Sequence, residues 1–166
     1  MTHQEKIGLT ESFERSYDGI ATLLAVVPDA ALKFLPALPD AWSINAHLAH
    51  LLDADIAICF RLRASVAQPG FAIPLWEEEQ WHDRLHYDQA DGRSCLGIAL
   101  KLRALTCATI RACADDDWNE YWVVHPARGK LGLVDLLTIY QGHGKLHEGY
   151  IKRNKEAWEL MPSRLD

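Results

Sequence analysis

The sequence has no apolar run long enough to cross a membrane and no cluster of basic residues. A membrane-spanning helix needs roughly 20 consecutive apolar residues, and no stretch of this 166-residue chain approaches that length. The formal charge is −6, whereas a nucleic-acid-binding protein needs a basic face. The N-terminal residues also lack the apolar core of a signal peptide. We therefore expect a cytoplasmic protein with neither a membrane nor a nucleic-acid partner.

Cysteine is scarce, and its spacing does not fit the common zinc or redox motifs. The four cysteines stand at positions 59, 95, 107 and 113, and no two of them form a C-x-x-C. Disulfides rarely persist in a reducing cytosol, and no local basic cluster would lower the pKa of a thiol. We expect all four cysteines to be small, buried, apolar side chains.

Long stretches of period-two alternation are missing as well, and the apolar residues recur at helical spacing almost throughout the chain. The pattern predicts long helices over about residues 5–27, 44–67, 89–115 and 131–159. Pro28 ends the first of these helices and Ser43 is a good N-cap for the second. A short helix is expected around 75–86 and an extended segment over 121–124. The chain is therefore expected to form a single domain, residues 1–166, built as an all-α four-helix bundle.

The feature that points to a function is a pair of histidines on the last predicted helix. His143 and His147 are four residues apart, so they share one face of the helix. They continue a stripe in which leucine would be expected at their positions, formed by Leu133, Leu136, Tyr140 and Tyr150. A buried imidazole needs partners for both nitrogens, and a metal ion supplies one of them. The stripe therefore predicts a metal site on this helix.

A second pair with the same spacing, His82 and His86, lies among acidic residues in a segment without an apolar stripe. We expect this pair to be on the surface, although it could instead line the mouth of a site. His3 and His125 are expected to face solvent or lie in loops. Gly142 and Gly144, which flank His143, either are tolerated flexibility or let the ion or a neighbouring helix come close.

A third imidazole from the second predicted helix would complete the site. His47 and His50 are three residues apart and share a broad face of that helix. Neither is central on the apolar stripe, so periodicity leaves the choice open, with a slight preference for His50. Three nitrogen ligands would leave open coordination positions, which distinguish a catalytic metal from a structural one.

Several short motifs in this order resemble the DinB/YfiT-like superfamily. The resemblance rests on Trp42-Ser43-Ile44, Ala49-His50-Leu51 with Asp53, His125-Pro126 with Gly129, and Gly142-His143 with His147. It implies a four-helix bundle of up-down-down-up type, often dimeric, with a divalent ion bound by three histidines. Carried over by position, these are His50, His143 and His147. His47 then becomes a neighbour of the site, and Ala46 replaces an acidic residue that some relatives carry.

The resemblance favours one of two reaction classes. A divalent ion on three imidazoles can activate a water molecule for hydrolysis or a thiol for attack on an electrophile. Members of the superfamily include enzymes that use low-molecular-weight thiols, so we expect a metal-dependent thiol S-transferase acting on small electrophiles. A metal-dependent hydrolase and a non-catalytic metal- or ligand-binding stress protein are the alternatives. Imidazole ligands suit several metals, with zinc or nickel expected, and the protein is expected to be a homodimer.

Three kinds of residue are candidates for supporting roles around the ion. Asp53, one turn after His50, could orient that imidazole or simply be a solvated side chain. Tyr140 and Tyr150 could hydrogen-bond a bound substrate or fill the core. Among the tryptophans, Trp42 is expected to pack near the start of the second helix, and Trp76 and Trp81 are candidates for the rim of a pocket.

Overall fold

The computed structural model describes residues 1–39 and 41–161, and four long helical segments dominate it. The predicted single domain extends to residue 166, so its last five residues lie outside the described part. The helices are α1 (His3–Glu14), α2 (Asp18–Leu24), α3 (Asp29–Leu32), α4 (Ile44–Ala67), α5 (Glu78–Arg84), α6 (Gly92–Ala112) and α7 (Leu133–Glu159). The strands are β1 (Phe71–Ala72), β2 (Trp122–His125) and β3 (Gly129–Gly132). No described helix combines the length and apolarity that crossing a bilayer requires.

The long helices form a bundle in which sequence neighbours are not always spatial neighbours. Helix α4 packs against α6 and α7, and α1 packs against the same two helices. Helices α1 and α4 therefore face each other across the bundle. The predicted all-helical four-helix bundle is confirmed, and the contact between α4 and α7 is the one that assembles the candidate site.

Helices α4 and α7 begin close to where the sequence predicts. The Ser43 hydroxyl accepts a hydrogen bond from the amide of Ala46 at 3.1 Å, as an N-cap should. Helix α7 begins at Leu133, two residues later than expected, because residues 129–132 form strand β3. Its first turn is held by Asp135, whose carboxylate accepts from the amide of Gly132 at 2.8 Å.

The first predicted helix, by contrast, is interrupted. A 3₁₀ turn at Arg15–Tyr17 separates α1 from α2, and α2 ends at Leu24. At the interruption the carbonyl of Phe13 accepts hydrogen bonds from the hydroxyl of Ser16 and from the buried guanidinium of Arg103. A tertiary contact thus occupies a carbonyl that a continuous α-helix would use for its own amide.

A small sheet, of which the sequence indicates only one extended segment, packs at one end of the bundle. Strands β2 and β3 form an antiparallel hairpin, and β1 pairs with β2 in parallel. Val123 of β2 is fully buried in the same core cluster as Leu133 and Leu136 of α7. The sheet therefore anchors the start of α7, the helix that carries two of the candidate ligands.

The cysteines only partly match their predicted role. All four are free, and Cys59 and Cys107 are buried, but Cys95 and Cys113 are half-buried. Burial raises the pKa of the Cys107 thiol to about 12, so its reactive thiolate form is scarce at neutral pH. None of them lies in the histidine cluster described below.

Candidate metal centre

Three histidines from two helices converge at the contact between α4 and α7. The Nε2 atom of His143 lies 3.0 Å from Nε2 of His50 and 3.1 Å from Nε2 of His147. One potential ligand atom from each of the three side chains lies within 4.8 Å of the others. The sequence-predicted set His50, His143 and His147 is thus brought together in space.

Burial keeps these imidazoles in the form that binds metals. It is the largest cause of the lowered pKa of all three, which falls to about 3 for His50 and to about 4 for His143. The neutral imidazole has a free lone pair, whereas the protonated one has none to donate. The cluster is therefore uncharged near neutral pH, and an ion entering it meets no cationic barrier from its ligands.

The spacing of the nitrogens fits a single divalent ion. Imidazole nitrogens bind zinc at about 2.0–2.1 Å in tetrahedral geometry, so two ligand nitrogens of one ion are about 3.3–3.4 Å apart. The two Nε2–Nε2 distances of 3.0 and 3.1 Å are within about 0.4 Å of this spacing. Nε2 of His143 contacts two ring nitrogens at once, although a neutral imidazole nitrogen carries either one proton or one lone pair. A cation shared by the three nitrogens would accept a lone pair from each of them.

His47 is a neighbour of this cluster, as the family resemblance implies. Its Nδ1 lies 3.1 Å from Nδ1 of His147, on the side of that ring opposite the cluster. Its ring also stacks on Tyr150, with centroids 5.3 Å apart. A hydrogen bond from Nδ1 of a metal-binding histidine fixes the orientation and tautomer of the ring. His47 therefore positions His147.

The role considered for Asp53 is not found. Its carboxylate accepts a 2.5 Å hydrogen bond from the hydroxyl of Tyr87 instead of contacting His50. The Nδ1 atoms of His50 and His143 are buried and have no hydrogen-bond partner in the described part of the chain. His147 is thus the one histidine of the three whose second nitrogen another side chain holds. Asp53 belongs to a contact between α4 and the 3₁₀ turn Tyr87–Gln89.

The surface prediction for the second histidine pair is correct for one residue and wrong for the other. His86 is exposed, but the side chain of His82 is only 16 % exposed and stacks on Trp42 with centroids 4.8 Å apart. Helix α5 folds back over the start of α4, which the sequence pattern of this acidic segment did not reveal. His82 therefore belongs to the surroundings of the site, as the alternative interpretation allowed.

Aromatic rings enclose the cluster on two sides. Trp42, just before α4, packs with its ring centroid 5.1 Å from His50 and 5.5 Å from His47. On the other side Trp76 stacks on His50 at 5.1 Å, and Trp81 packs edge-on against Trp76. The expected packing of Trp42 at the start of the helix and of Trp76 at a pocket wall is found. These rings limit the access of water to the imidazoles.

Gly144 permits the close approach of α7 to the first helical segment. A Cβ atom at this position would lie 2.8 Å from the ring of Tyr17 and 3.3 Å from the carbonyl of Ser16. Gly142, on the other side of His143, has open space around it. Packing therefore explains the glycine at position 144 but not the one at position 142. The close neighbour of Gly144 is another helical segment and not the ion.

Two cavities flank the histidine cluster and share His143 and Glu78 in their walls. The larger, about 300 Å³, is lined among others by Trp42, His147 and Tyr150. The smaller, about 180 Å³, is lined by His50, Trp76 and Tyr140. Both predicted tyrosines thus face space beside the cluster, and Tyr140 also accepts a hydrogen bond from Arg61 at 2.6 Å. The cluster is open to two separate spaces large enough for small molecules.

Glu78, in the first turn of α5, is the residue near the cluster that the sequence did not single out. Its Oε2 atom lies 3.9 Å from Nε2 of His50, and its side chain is 61 % exposed. It is one of three consecutive glutamates in a segment without apolar periodicity. Only the folding of α5 over α4 brings this carboxylate to the cluster, so no local sequence signal distinguishes it from Glu77 and Glu79.

The fold and the site together define a four-helix-bundle protein with an interhelical cluster of three histidines. The sequence matches the DinB superfamily over residues 12–151, so the chain belongs to this family. No curated protein matches the sequence. Among solved structures it is similar to YfiT from Bacillus subtilis, which is described as a probable metal-dependent hydrolase with an unusual four-helix bundle topology. The match has a TM-score of 0.83 and 19 % identity, and it covers 96 % of this chain and 90 % of YfiT.

Proposed function

We propose that this protein is a metal-dependent hydrolase of a small molecule. The observation that carries the proposal is the carboxylate of Glu78 beside three converging neutral imidazoles. His50, His143 and His147 would hold a divalent ion; an all-imidazole donor set suits zinc, nickel, iron and copper alike, and zinc or nickel is the ion we expect. Such an ion supplies Lewis acidity, which lowers the pKa of water and polarises a substrate oxygen. The similarity in fold to YfiT, a probable metal-dependent hydrolase, points in the same direction.

In this proposal each side chain of the site has a separate role in hydrolysis. The Glu78 carboxylate accepts the proton that the attacking water loses and returns it to the leaving group, as a general base and then a general acid. His47 keeps His147 in one tautomer through the contact between their Nδ1 atoms. Trp42 and Trp76 pack on His50 and limit the access of bulk water to that imidazole. The cavities hold the substrate on the open sides of the cluster.

Replacing Glu78 with glutamine tests this assignment. General bases contribute about 10²- to 10⁴-fold to a rate, so we expect Glu78→Gln to lower kcat for p-nitrophenyl acetate hydrolysis by the zinc-loaded protein at least 100-fold. The bound zinc, measured by elemental analysis, should stay near the wild-type amount. Glu77→Gln, one residue earlier on the exposed surface, is the matched control and should keep the rate. An unchanged rate in Glu78→Gln, or a zinc-loaded wild type no faster than the metal-free protein, would contradict the proposal.

A thiol S-transferase, the function expected from the family resemblance, is the second candidate. The observation in its favour is that two cavities open on the same cluster, which gives separate room for a thiol and an electrophile. A thiolate bound to cobalt gives an intense charge-transfer absorption. The cobalt-substituted protein should therefore develop this band when a low-molecular-weight thiol such as cysteine or glutathione is added. The absence of the band with all such thiols would remove this candidate and leave the hydrolase.

The cytoplasmic location and the homodimer stay predictions of the sequence and the family resemblance. The same holds for the absence of a nucleic-acid partner. The non-catalytic alternative, a metal-binding stress protein, predicts that zinc loading stabilises the fold without any hydrolysis of the ester. The assay on Glu78→Gln and wild type therefore also separates this alternative from an enzyme.

A further inference from the structure

Arg61 is a buried cation without a carboxylate partner in the described part of the chain. Its residue is 8 % exposed, and it donates to the hydroxyl of Tyr140 at 2.6 Å and to the carbonyl of Pro74 at 3.3 Å. Both acceptors are neutral. A buried charge is ordinarily paired with an opposite charge, because removing it from water is costly.

Arg103, which is fully buried, shows how a buried arginine of this bundle is paired. Arg103 makes two hydrogen bonds to the carboxylate of Asp55, at 3.2 and 2.6 Å, and both side chains are fully buried. Arg61 has no equivalent acid within ion-pair distance among residues 1–39 and 41–161. Among the described residues, its guanidinium therefore donates hydrogen bonds to neutral acceptors alone.

The unpaired charge lies in the wall of the 180 Å³ cavity beside the histidine cluster. This cavity is also lined by His50 and His143, and by Arg128 from the turn between β2 and β3. Arg128 is thus a second positive charge in the wall that contains Arg61, and its side chain is exposed to solvent. The lowered pKa of His125, in the same wall, has both arginines among its causes after burial, which is the effect of a positive field on a titrating group.

The charges around the cavity fit a ligand with one negative charge. Arg61 and Arg128 contribute two positive charges, Glu78 contributes one negative charge, and His125 is neutral when its pKa is lowered. The remaining wall is apolar and is formed by Leu75, Trp76, Leu131, Leu136 and Ile139. At about 30 Å³ per water molecule, the cavity holds a volume of about six waters. This is room for a small molecule with a flat or compact apolar body.

We propose that Arg61, assisted by Arg128, binds the carboxylate of a small apolar carboxylic acid or acid derivative in this cavity. Arginine is suited to the role because its planar fork matches a carboxylate with two parallel hydrogen bonds. Tyr140 positions the guanidinium, and it lies one turn before His143, so the bound molecule is adjacent to the histidine cluster. The claim that the bound molecule is a substrate rests on the proposed function. The claim that the cavity selects a carboxylate is independent of that function.

The test is a comparison of three probes on the metal-free protein, so that a bound metal cannot supply the affinity. Benzoate carries the carboxylate, benzamide is its neutral analogue of the same shape, and phenyl phosphate carries a phosphate. A charge-assisted hydrogen bond is worth about 1.5–3 kcal/mol, so benzoate should bind at least about tenfold more tightly than benzamide. Binding is followed by the fluorescence quenching of Trp76 and its neighbours and by calorimetry.

Arg61→Gln should abolish the preference for benzoate over benzamide, and Arg63→Gln should keep it. Arg63 lies on the same helix but is exposed, so it is a matched control for the loss of one positive charge. Because Arg61 is buried, each variant is first checked for native circular dichroism and cooperative unfolding. Arg128→Gln changes an exposed residue, so it is not expected to disturb folding. It should weaken benzoate binding several-fold.

Equal binding of benzoate and benzamide to the wild type would overturn the proposal, as would an unchanged preference in both folded Arg61→Gln and Arg128→Gln. Tighter binding of phenyl phosphate than of benzoate would overturn the assignment to a carboxylate. Failure of the proposed hydrolase function is a separate result. It would show as the absence of zinc-dependent ester hydrolysis in a protein that still prefers benzoate when free of metal.

Discussion

Replacing His147 with alanine is expected to lower the affinity for a divalent ion by more than about 100-fold. Even substitutions of groups that only orient a ligand cost about 10- to 100-fold in metal affinity, and His147 would be a ligand itself. It also links the cluster to His47 through its second nitrogen. The variant keeps two of the three imidazoles. It loses one metal-binding nitrogen, and that nitrogen belongs to the ring that His47 holds in position. Elemental analysis after dialysis against zinc at micromolar concentration measures the loss.

The second histidine pair supplies the controls for this prediction. His82→Ala removes a ring that stacks on Trp42 and is not among the three converging side chains. His86→Asn changes an exposed residue with a positive φ of 52°, a conformation that asparagine tolerates. Both variants should keep close to one zinc ion per chain. Equal zinc content in His147→Ala and in these two variants would show that the cluster does not hold the ion.

Replacing Asp55 with alanine is expected to lower the free energy of unfolding by about 3–5 kcal/mol, the range for breaking a buried ion pair. The change leaves the guanidinium of Arg103 buried without its anion. That guanidinium lies between the rings of Phe13 and Tyr17, at 4.1 and 3.7 Å from their centroids, and cannot reach solvent without opening the core. Urea unfolding followed by far-ultraviolet circular dichroism gives the difference in stability.

A partly exposed pair provides the comparison for the buried one. Lys155 and Glu159 form an i,i+4 ion pair at 2.6 Å on α7, with the carboxylate 56 % exposed. Glu159→Gln should change the free energy of unfolding by less than about 0.5 kcal/mol. The double variant Asp55→Leu/Arg103→Met should recover part of the stability lost in Asp55→Ala, because it removes both buried charges. Similar losses for Asp55→Ala and Glu159→Gln would contradict the structural role given to the buried pair.

The parts of the fold that the sequence predicts well are those set by local signals. Helix α4 has a capping serine at its start, a continuous apolar stripe, and a Pro-Gly pair just after its end, and its observed bounds match the expected ones. Asp55 lies within that stripe, where an acidic residue is out of place. Its partner Arg103 lies 48 positions away in the chain. The stripe therefore predicts burial, but only the tertiary structure supplies the reason for an acid within it.

The parts that the sequence misses depend on contacts between distant segments. The break between α1 and α2 coincides with a hydrogen bond from Arg103, which comes from another helix. Strand β3 pairs with β2 and thereby delays the start of α7. Neither contact produces a periodic pattern of apolar residues in the local sequence.

The same division holds for the candidate site. The two histidines of α7 are evident from their place in an apolar stripe, whereas helical periodicity alone does not choose between His47 and His50. The family resemblance indicates His50, and the structure brings this residue to the other two while His47 contacts the far side of His147. Glu78 lies near the cluster and Arg61 lines the cavity beside it because α4, α5 and α7 meet there, which spacing along one segment does not show.

The most direct test of the metal site is the anomalous diffraction from a crystal of the protein loaded with zinc, collected on both sides of the zinc absorption edge. We expect one strong anomalous peak per chain at the contact between α4 and α7, within about 2.0–2.2 Å of the Nε2 atoms of His50, His143 and His147. A peak bound by other residues, or no peak at these three imidazoles under saturating zinc, would contradict it.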